Sequence, residues 1–233
     1  MCIPRIFLNR QDNVAGTGTI VVIDVLRSFT TAAVALARGA RAVYAVEGVD
    51  AAQALGRRLE RGVTAGAVRG GDPVPEFDFG NSPAQLAEAA LAGAAVVLST
   101  AAGVRGLQRF SGATRLYAAS LVCARATADA LRAAGTDDIG FVITGEWVDR
   151  NGDEDLACAD YIEALLRNEA VAADEFERRV RDSDFGRRFA AGTWPSLPPA
   201  DLALAAHADR FDFAMRVWRE GEHLVIRREP PAD

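Results

Sequence analysis

Short apolar runs alternate along this chain with alanine-rich stretches whose apolar positions recur every three or four residues. The runs lie at 19–25, 42–46, 63–68, 94–99, 115–119 and 139–144. The helical stretches that follow them lie at 30–38, 51–61, 83–92, 104–110, 122–133 and 154–166. A continuous apolar run bounded by turn residues reads as a strand covered on both faces, and the three-to-four spacing reads as one face of a helix. The βαβα order predicts an α/β fold, a three-layer α/β/α sandwich built on a largely parallel or mixed sheet. Gly39, Gly62, Gly93 and Gly135 stand where helices should stop, and Ser82-Pro83 supplies an N-cap followed by proline in the first turn.

Beyond 168 the alternation ends. The chain through 188 is charged and helical in pattern, 194–199 is a proline-rich connector, 200–213 reads as an amphipathic helix and 222–226 as a short strand. The expectation is a single unit over 1–233, with the main sheet at about 1–168 and a helical C-terminal cover plus terminal strand at about 169–233.

Composition narrows the functional classes. Half of the 233 residues are apolar, enough for a large core. A net charge of −6 argues against nucleic acid as a partner, because that binding needs clustered cations to displace counterions. The basic run Glu177-Arg178-Arg179-Val180-Arg181 is flanked by acids and reads as a solvated helix face. The chain has no lysine, which excludes Schiff-base chemistry and the lysine of a P-loop. Cys2, Cys123 and Cys158 are widely spaced, and with His207 and His223 they make no zinc set, so free thiols in a reducing compartment are expected. No apolar stretch approaches the roughly 20 residues of a membrane span. A cytoplasmic protein without membrane partners is the expectation, with a homo-oligomer left open.

The candidate chemistry gathers at the ends of the predicted strands, where α/β sheets place ligands. Asp24-Val25-Leu26-Arg27-Ser28, with Thr30 and Thr31 behind it, puts an acid, an arginine and hydroxyls at a helix start. Unpaired N–H groups and the helix dipole favour an anion there, and arginine offers paired donors to phosphate oxygens. Asp24 reads as a Mg²⁺ ligand or nucleophile, or else as an N-cap or a partner for Arg27. In Asp78-Phe79-Gly80-Asn81-Ser82-Pro83, Asp78 is the candidate metal ligand or orienting group, while Asn81 and Ser82 also suit turn and cap chemistry. Thr100 and Arg105 stand in a glycine-rich loop whose backbone could closely approach an anion, and Ser120 after the next strand reads either as a further anion contact or as a helix cap. Glu154 and Asp155 begin a helix, where acids suit the helix dipole by themselves; alternatively, either one with Asp24 would give Mg²⁺ the one or two carboxylates it commonly takes beside a substrate phosphate.

On these residues the sequence resembles the 2-phosphosulfolactate phosphatase family, the ComB-like proteins of coenzyme M biosynthesis. The likeness runs through Ile23-Asp24-Val25-Leu26-Arg27 with Thr30-Thr31, Phe77 to Pro83, Leu98-Ser99-Thr100 with Gly103 and Arg105, Ala119-Ser120-Leu121-Val122, and Glu154-Asp155-Leu156-Ala157-Cys158-Ala159. It implies a three-layer α/β fold and Mg²⁺-dependent removal of phosphate from 2-phospho-3-sulfolactate. Asp24, Arg27 and Asp78 would be catalytic, and Asp24, Glu154 and Asp155 would hold the metal. Thr30, Thr31, Asn81, Ser82, Thr100, Arg105 and Ser120 would bind substrate. The chain departs from the family at Ala67, Ala102, Val104 and Cys123, where polar side chains are usual and are expected to face the pocket.

The leading expectation is therefore a Mg²⁺-dependent phosphomonoester hydrolase acting on a small, anionic phosphorylated acid. The alternative is a catalytically weakened homologue that binds or senses a small anion. A nicotinamide-dependent oxidoreductase is disfavoured, because no G-x-G-x-x-G follows the first strand.

Overall fold

The computed structural model describes residues 3–10, 18–68, 71–147 and 150–229. Its first half runs through strand β1 (Arg5–Phe7), β2 (Thr19–Ile23), helix α1 (Ser28–Ala37), β3 (Ala42–Ala45), α2 (Val49–Arg58), β4 (Gly62–Gly66), β5 (Phe79–Gly80) and α3 (Pro83–Ala87). There follow β6 (Ala95–Ser99), α4 (Gly103–Arg109), β7 (Arg115–Ala119), α5 (Ala124–Ala133) and β8 (Ile139–Ile143). The remainder comprises β9 (Glu146–Trp147), β10 (Arg150–Asn151), α6 (Asp153–Leu166), α7 (Ala173–Asp182), α8 (Asp184–Ala191), α9 (Pro199–Ala205), β11 (Ala214–Glu220) and β12 (His223–Glu229). The expected α/β sandwich is what forms, and each of the six predicted strands is present.

Ten strands make one sheet in the order β1-β8-β2-β7-β11-β12-β3-β6-β4-β5, and β9 and β10 form a separate antiparallel pair. The first four strands are mutually parallel, as are the last four. Between these blocks sits the C-terminal hairpin, with β11 antiparallel to β7 and β12 antiparallel to β3. Helices α7 to α9 do lie outside the sheet, yet the tail also supplies its two central strands, so the sheet does not end near 168. The predicted helix over 200–213 stops at Ala205. Strand β11 has no signature in the sequence, because its outer half is exposed and arginines interrupt its apolar positions, which leaves no continuous apolar run.

Three antiparallel steps across the hairpin make the two parallel blocks run in opposite directions. In a flat sheet their carboxyl ends would point apart. Twist of about 20–25° per strand pair, accumulated over the five pairs from β2 to β6, rotates one block by about 100° or more against the other. The two sets of carboxyl ends then converge, and Ser28 beyond β2 donates a 3.0 Å hydrogen bond to Thr100 beyond β6. Helices α1 and α4 span the blocks on that side: Phe29, Leu36, Val104 and Leu107 pack against Val22, Val43, Leu98, Met215 and Ile226. On the opposite face Tyr161 and Ile162 of α6 and Leu131 of α5 cover Tyr117, Phe141 and Ile143. Cys123 and Cys158 are buried free thiols, while Cys2 lies outside the described residues.

Candidate functional site

The first residue after β2 opens the site. Asp24 extends the sheet ladder by donating its N–H to Ala119 O at 3.2 Å, and its Oδ1 accepts the Ser28 N–H at 2.9 Å. The carboxylate thus tethers the first turn of α1, and the Leu26–Arg27 peptide bond between them is cis. On the other side α4 begins at Gly103, where a Cβ would fall 2.8 Å from Asp24 Oδ2. Burial raises the pKa of Asp24, opposed by its hydrogen bonds from Ser28, the charge of Arg150 and the Gly103 N–H.

Two further carboxylates arrive at the start of α6, which Gly152 enters with a left-handed φ of 73°. Asp155 is fully engaged: Oδ1 accepts the Val25 N–H at 2.8 Å, while Oδ2 accepts from Gly145 N at 2.7 Å, Thr144 N at 3.0 Å and Thr144 Oγ1 at 3.3 Å. It therefore clamps the ends of β2 and β8 together. Glu154 differs in kind. Its carboxylate is buried, and neither oxygen has a hydrogen-bond partner among the described residues. Burial pushes its pKa up to about 7, with Asp24 and Asp153 adding to the rise and Arg150 opposing it. A Cβ at Gly145 would lie 2.5 Å from Glu154 Oε1, so glycine is what leaves room at that oxygen.

A buried carboxylate with no donor is unfavourable unless a cation or proton meets it. Among the described residues no group of three or more His, Cys, Asp or Glu is placed to hold a metal ion. Mg²⁺ does not require one, because it keeps several waters and commonly takes one or two carboxylates beside a substrate phosphate. Glu154 and Asp24 fit that demand by the hardness of their oxygens.

A cavity of about 500 Å³ adjoins these groups and is lined by Asp24, Ser28, Thr100 and Thr144 together with Arg27, Arg105, Arg150 and Arg188. Arg27 is held from three sides: Nη1 donates to Asp201 Oδ2 at 2.7 Å, Nη2 donates to Gly71 O at 3.2 Å, and its guanidinium lies 5.1 Å from the centre of the Phe189 ring. Asp201, at the start of α9, also accepts from Ser82 Oγ at 2.7 Å and from Ala84 N at 3.0 Å. Arg150 lies 4.3 Å from the centre of the Phe185 ring, and Arg105 donates to Asn9 Oδ1. Cation–π contact and the Asp201 carboxylate thus fix two of the guanidinium groups.

Of the residues expected to bind substrate or catalyse, the structure brings Asp24, Arg27, Asn81, Thr100 and Arg105 to the cavity wall. The Oδ1 of Asn81 is buried there without a partner among the described residues. Glu154 and Asp155 adjoin the lining residues Asp24 and Thr144. The others lie elsewhere. Asp78 is exposed and accepts from Thr64 N and Thr64 Oγ1, each at 2.8 Å, which fastens β4 to the turn before β5. Thr30 Oγ1 bonds Val25 O at 2.7 Å and Ser120 Oγ at 2.6 Å, so two expected substrate contacts satisfy each other inside the core. Thr31 is also buried away from the wall, and Ser82 caps α3 by accepting the Gln85 N–H.

The expectation that four non-polar replacements face the pocket is half corrected. Ala67 and Ala102 line the cavity, whereas Cys123 and Val104, the latter on the inner face of α4, are fully buried in the core. The sequence reading does not find Asn9, Arg150, Arg188 or Asp201. Asp201 carried only the signature of a helix start after Pro198-Pro199, and Arg150 and Arg188 were two arginines among 26 cationic residues. No local pattern marks a side chain whose role depends on contacts from distant elements.

With this geometry in place, comparison with known proteins gives a consistent picture. The family model described as 2-phosphosulpholactate phosphatase matches residues 7–186. A probable 2-phosphosulfolactate phosphatase of Carboxydothermus hydrogenoformans is 40% identical over 148 residues, covering 63% of this chain and 60% of that protein. One of Bacillus subtilis is 27% identical over 224 residues, covering 96% of this chain and 97% of its own length. A third, of Prochlorococcus marinus, is 36% identical over 191 residues, with coverage of 82% and 77%.

Proposed function

The chain belongs to the 2-phosphosulpholactate phosphatase family, and from that premise we propose that it is a Mg²⁺-dependent phosphomonoester hydrolase. Its substrate is a small phosphorylated organic acid, 2-phospho-3-sulfolactate or a related phosphoacid. The observation that carries the metal requirement is the Glu154 carboxylate, buried beside Asp24 with both oxygens unpaired among the described residues.

Asp24 and Glu154 would hold Mg²⁺, which when bound neutralises charge on the transferring phosphoryl oxygens. Phosphoryl transfer needs little covalent chemistry from the protein, so positioning and electrostatics suffice without a histidine. Arg105, Arg150 and Arg188 line the cavity where the anionic groups bind. Arg27 is preset by Asp201 and Phe189, so its orientation needs little reorganisation when substrate arrives. Asn81 Oδ1 accepts from a donor on the bound molecule or its water. Asp155 carries no proton transfer in this reading; it fixes the Val25 and Gly145 backbone on either side of the metal carboxylates.

The test is phosphate release from 2-phospho-3-sulfolactate and from ordinary phosphoacids, with Mg²⁺ and with chelator. Turnover that disappears with chelator and returns with Mg²⁺ is expected. Absence of metal-dependent hydrolysis of every phosphoester would leave the anion-binding alternative in its place.

A further inference from the structure

The cavity is not uniformly polar. Its lining includes Val68, Phe185, Trp194 and Leu197, with the methyl groups of Ala67 and Ala102 beside them. Among the described residues only three large apolar side chains are strongly exposed, and two of them, Val68 at 45% and Trp194 at 61%, belong to this one cavity. Leu197 and Phe185, both buried, line the same cavity, the Phe185 ring with the Arg150 guanidinium 4.3 Å from its centre. Gly71 seats the patch against the anion-binding groups: a Cβ there would lie 3.4 Å from both Leu197 Cδ2 and Arg27 Nη2. Hydrocarbon exposed at a concave site stays wetted until a ligand covers it, and such patches commonly mark where ligand bodies dock. A sulfonate set against this surface would give up water for groups unable to hydrogen-bond it, whereas an uncharged arm would gain by burial.

We propose that the phosphoester accepted here is that of a hydroxy acid bearing an apolar arm of about aryl size. The arm packs on Trp194, Val68 and Leu197 while the arginines hold the phosphate and carboxylate; this rests on the phosphatase reading for the anionic part of the ligand. Trp194 and Val68 are then the residues that set specificity, and the same cavity joins an anion-binding side to an apolar one.

Three probes decide it: 2-phospholactate, 2-phospho-3-phenyllactate and 2-phospho-3-sulfolactate, each measured with the full chain and Mg²⁺ by calorimetric binding and by phosphate release. The phenyl compound should bind and turn over about tenfold better than phospholactate and better than the sulfonate. In Trp194→Ala that phenyl-to-methyl ratio should fall toward one, and Val68→Thr should lower it as well. The exposed position of Trp194 makes its replacement compatible with folding. A ratio of one or less in the unaltered protein, or a ratio that both substitutions leave intact, overturns the proposal. The two possible failures are separable. Phosphate release without phenyl preference removes the arm and keeps the phosphatase, phenyl preference in binding without phosphate release does the reverse, and no binding of any probe overturns both.

Discussion

Arg27 and Asp201 are 174 residues apart in sequence and joined by a 2.7 Å hydrogen-bonded ion pair whose side chains are 5% and 0% exposed. This contact ties the first strand–helix corner to the C-terminal helices, and through Ser82 and Ala84 it also holds the start of α3. Removing one member of a buried pair strands the other charge, which costs about 3–5 kcal/mol. Asp201→Ala should therefore lower the urea midpoint strongly. Asp201→Asn keeps the shape and one acceptor, so it should cost less stability and raise KM more than it lowers kcat. Equal loss in both kinetic parameters would argue against a role in setting Arg27.

Asp155→Ala should destabilise the protein by about 3 kcal/mol or more, because it leaves the buried N–H groups of Val25, Thr144 and Gly145 without their acceptor. Asp155→Asn should recover little, since its amide would set donors against donors. Equilibrium urea unfolding checks both.

Stability without divalent cations should fall as pH rises from about 4.5 to about 7. Glu154 has an ordinary pKa of 4.5 and is raised by burial to about 7, so between these values the folded state binds more protons than the unfolded state. The favourable contribution is complete below the lower value and lost as pH passes the higher one, an effect on the order of 3 kcal/mol. Burial raises Asp24 and Asp155 too, and so they act in the same direction. Thermal melts in chelator across pH 4–8 test this. Glu154→Gln should flatten the slope, and in the unaltered protein added Mg²⁺ should restore stability mainly at the alkaline end.

Gly145→Ala would place a Cβ 2.5 Å from Glu154 Oε1 and 3.2 Å from Asp155 Oδ2. In the proposed reading Glu154 holds the metal, and a displacement of about 1 Å at such a group can cost about a hundredfold in rate. The expected result is a loss of that order in kcat/KM with the far-ultraviolet circular dichroism spectrum retained. Activity within a fewfold of the original would show that Glu154 tolerates the shift.

Ile226 lies on the central hairpin and is fully buried between the two parallel blocks. Ile226→Ala should destabilise by about 2–5 kcal/mol, as for other large-to-small core changes. An effect below 1 kcal/mol by urea unfolding, well under that range, would show that the blocks do not depend on the hairpin for packing.

The βαβα alternation and the six buried strands were legible because strand and helix periodicities are local and every position of β2, β6 and β8 is buried. Asp24 and Glu154 were legible for a similar reason, as acids placed where a strand ends and a helix begins. Thr30 and Ser120 looked equally suited to a ligand, yet they face each other across the core, and Asp78 is committed to Thr64. Residue type and position do not reveal which of several hydroxyls or acids will find a partner inside the protein.

By itself the sequence determined the α/β class, the position of Asp24 at the end of a strand and the exclusion of lysine-based mechanisms, since each follows from short-range pattern or composition. Only the tertiary structure decided that residues 214–229 enter the middle of the sheet and reverse one block against the other. It also decided that Asp201 and the aromatic rings of α8 steady two arginines of the cavity. Those outcomes depend on strand order and accumulated twist, which arise from contacts between segments far apart in the chain and leave no periodic mark along it.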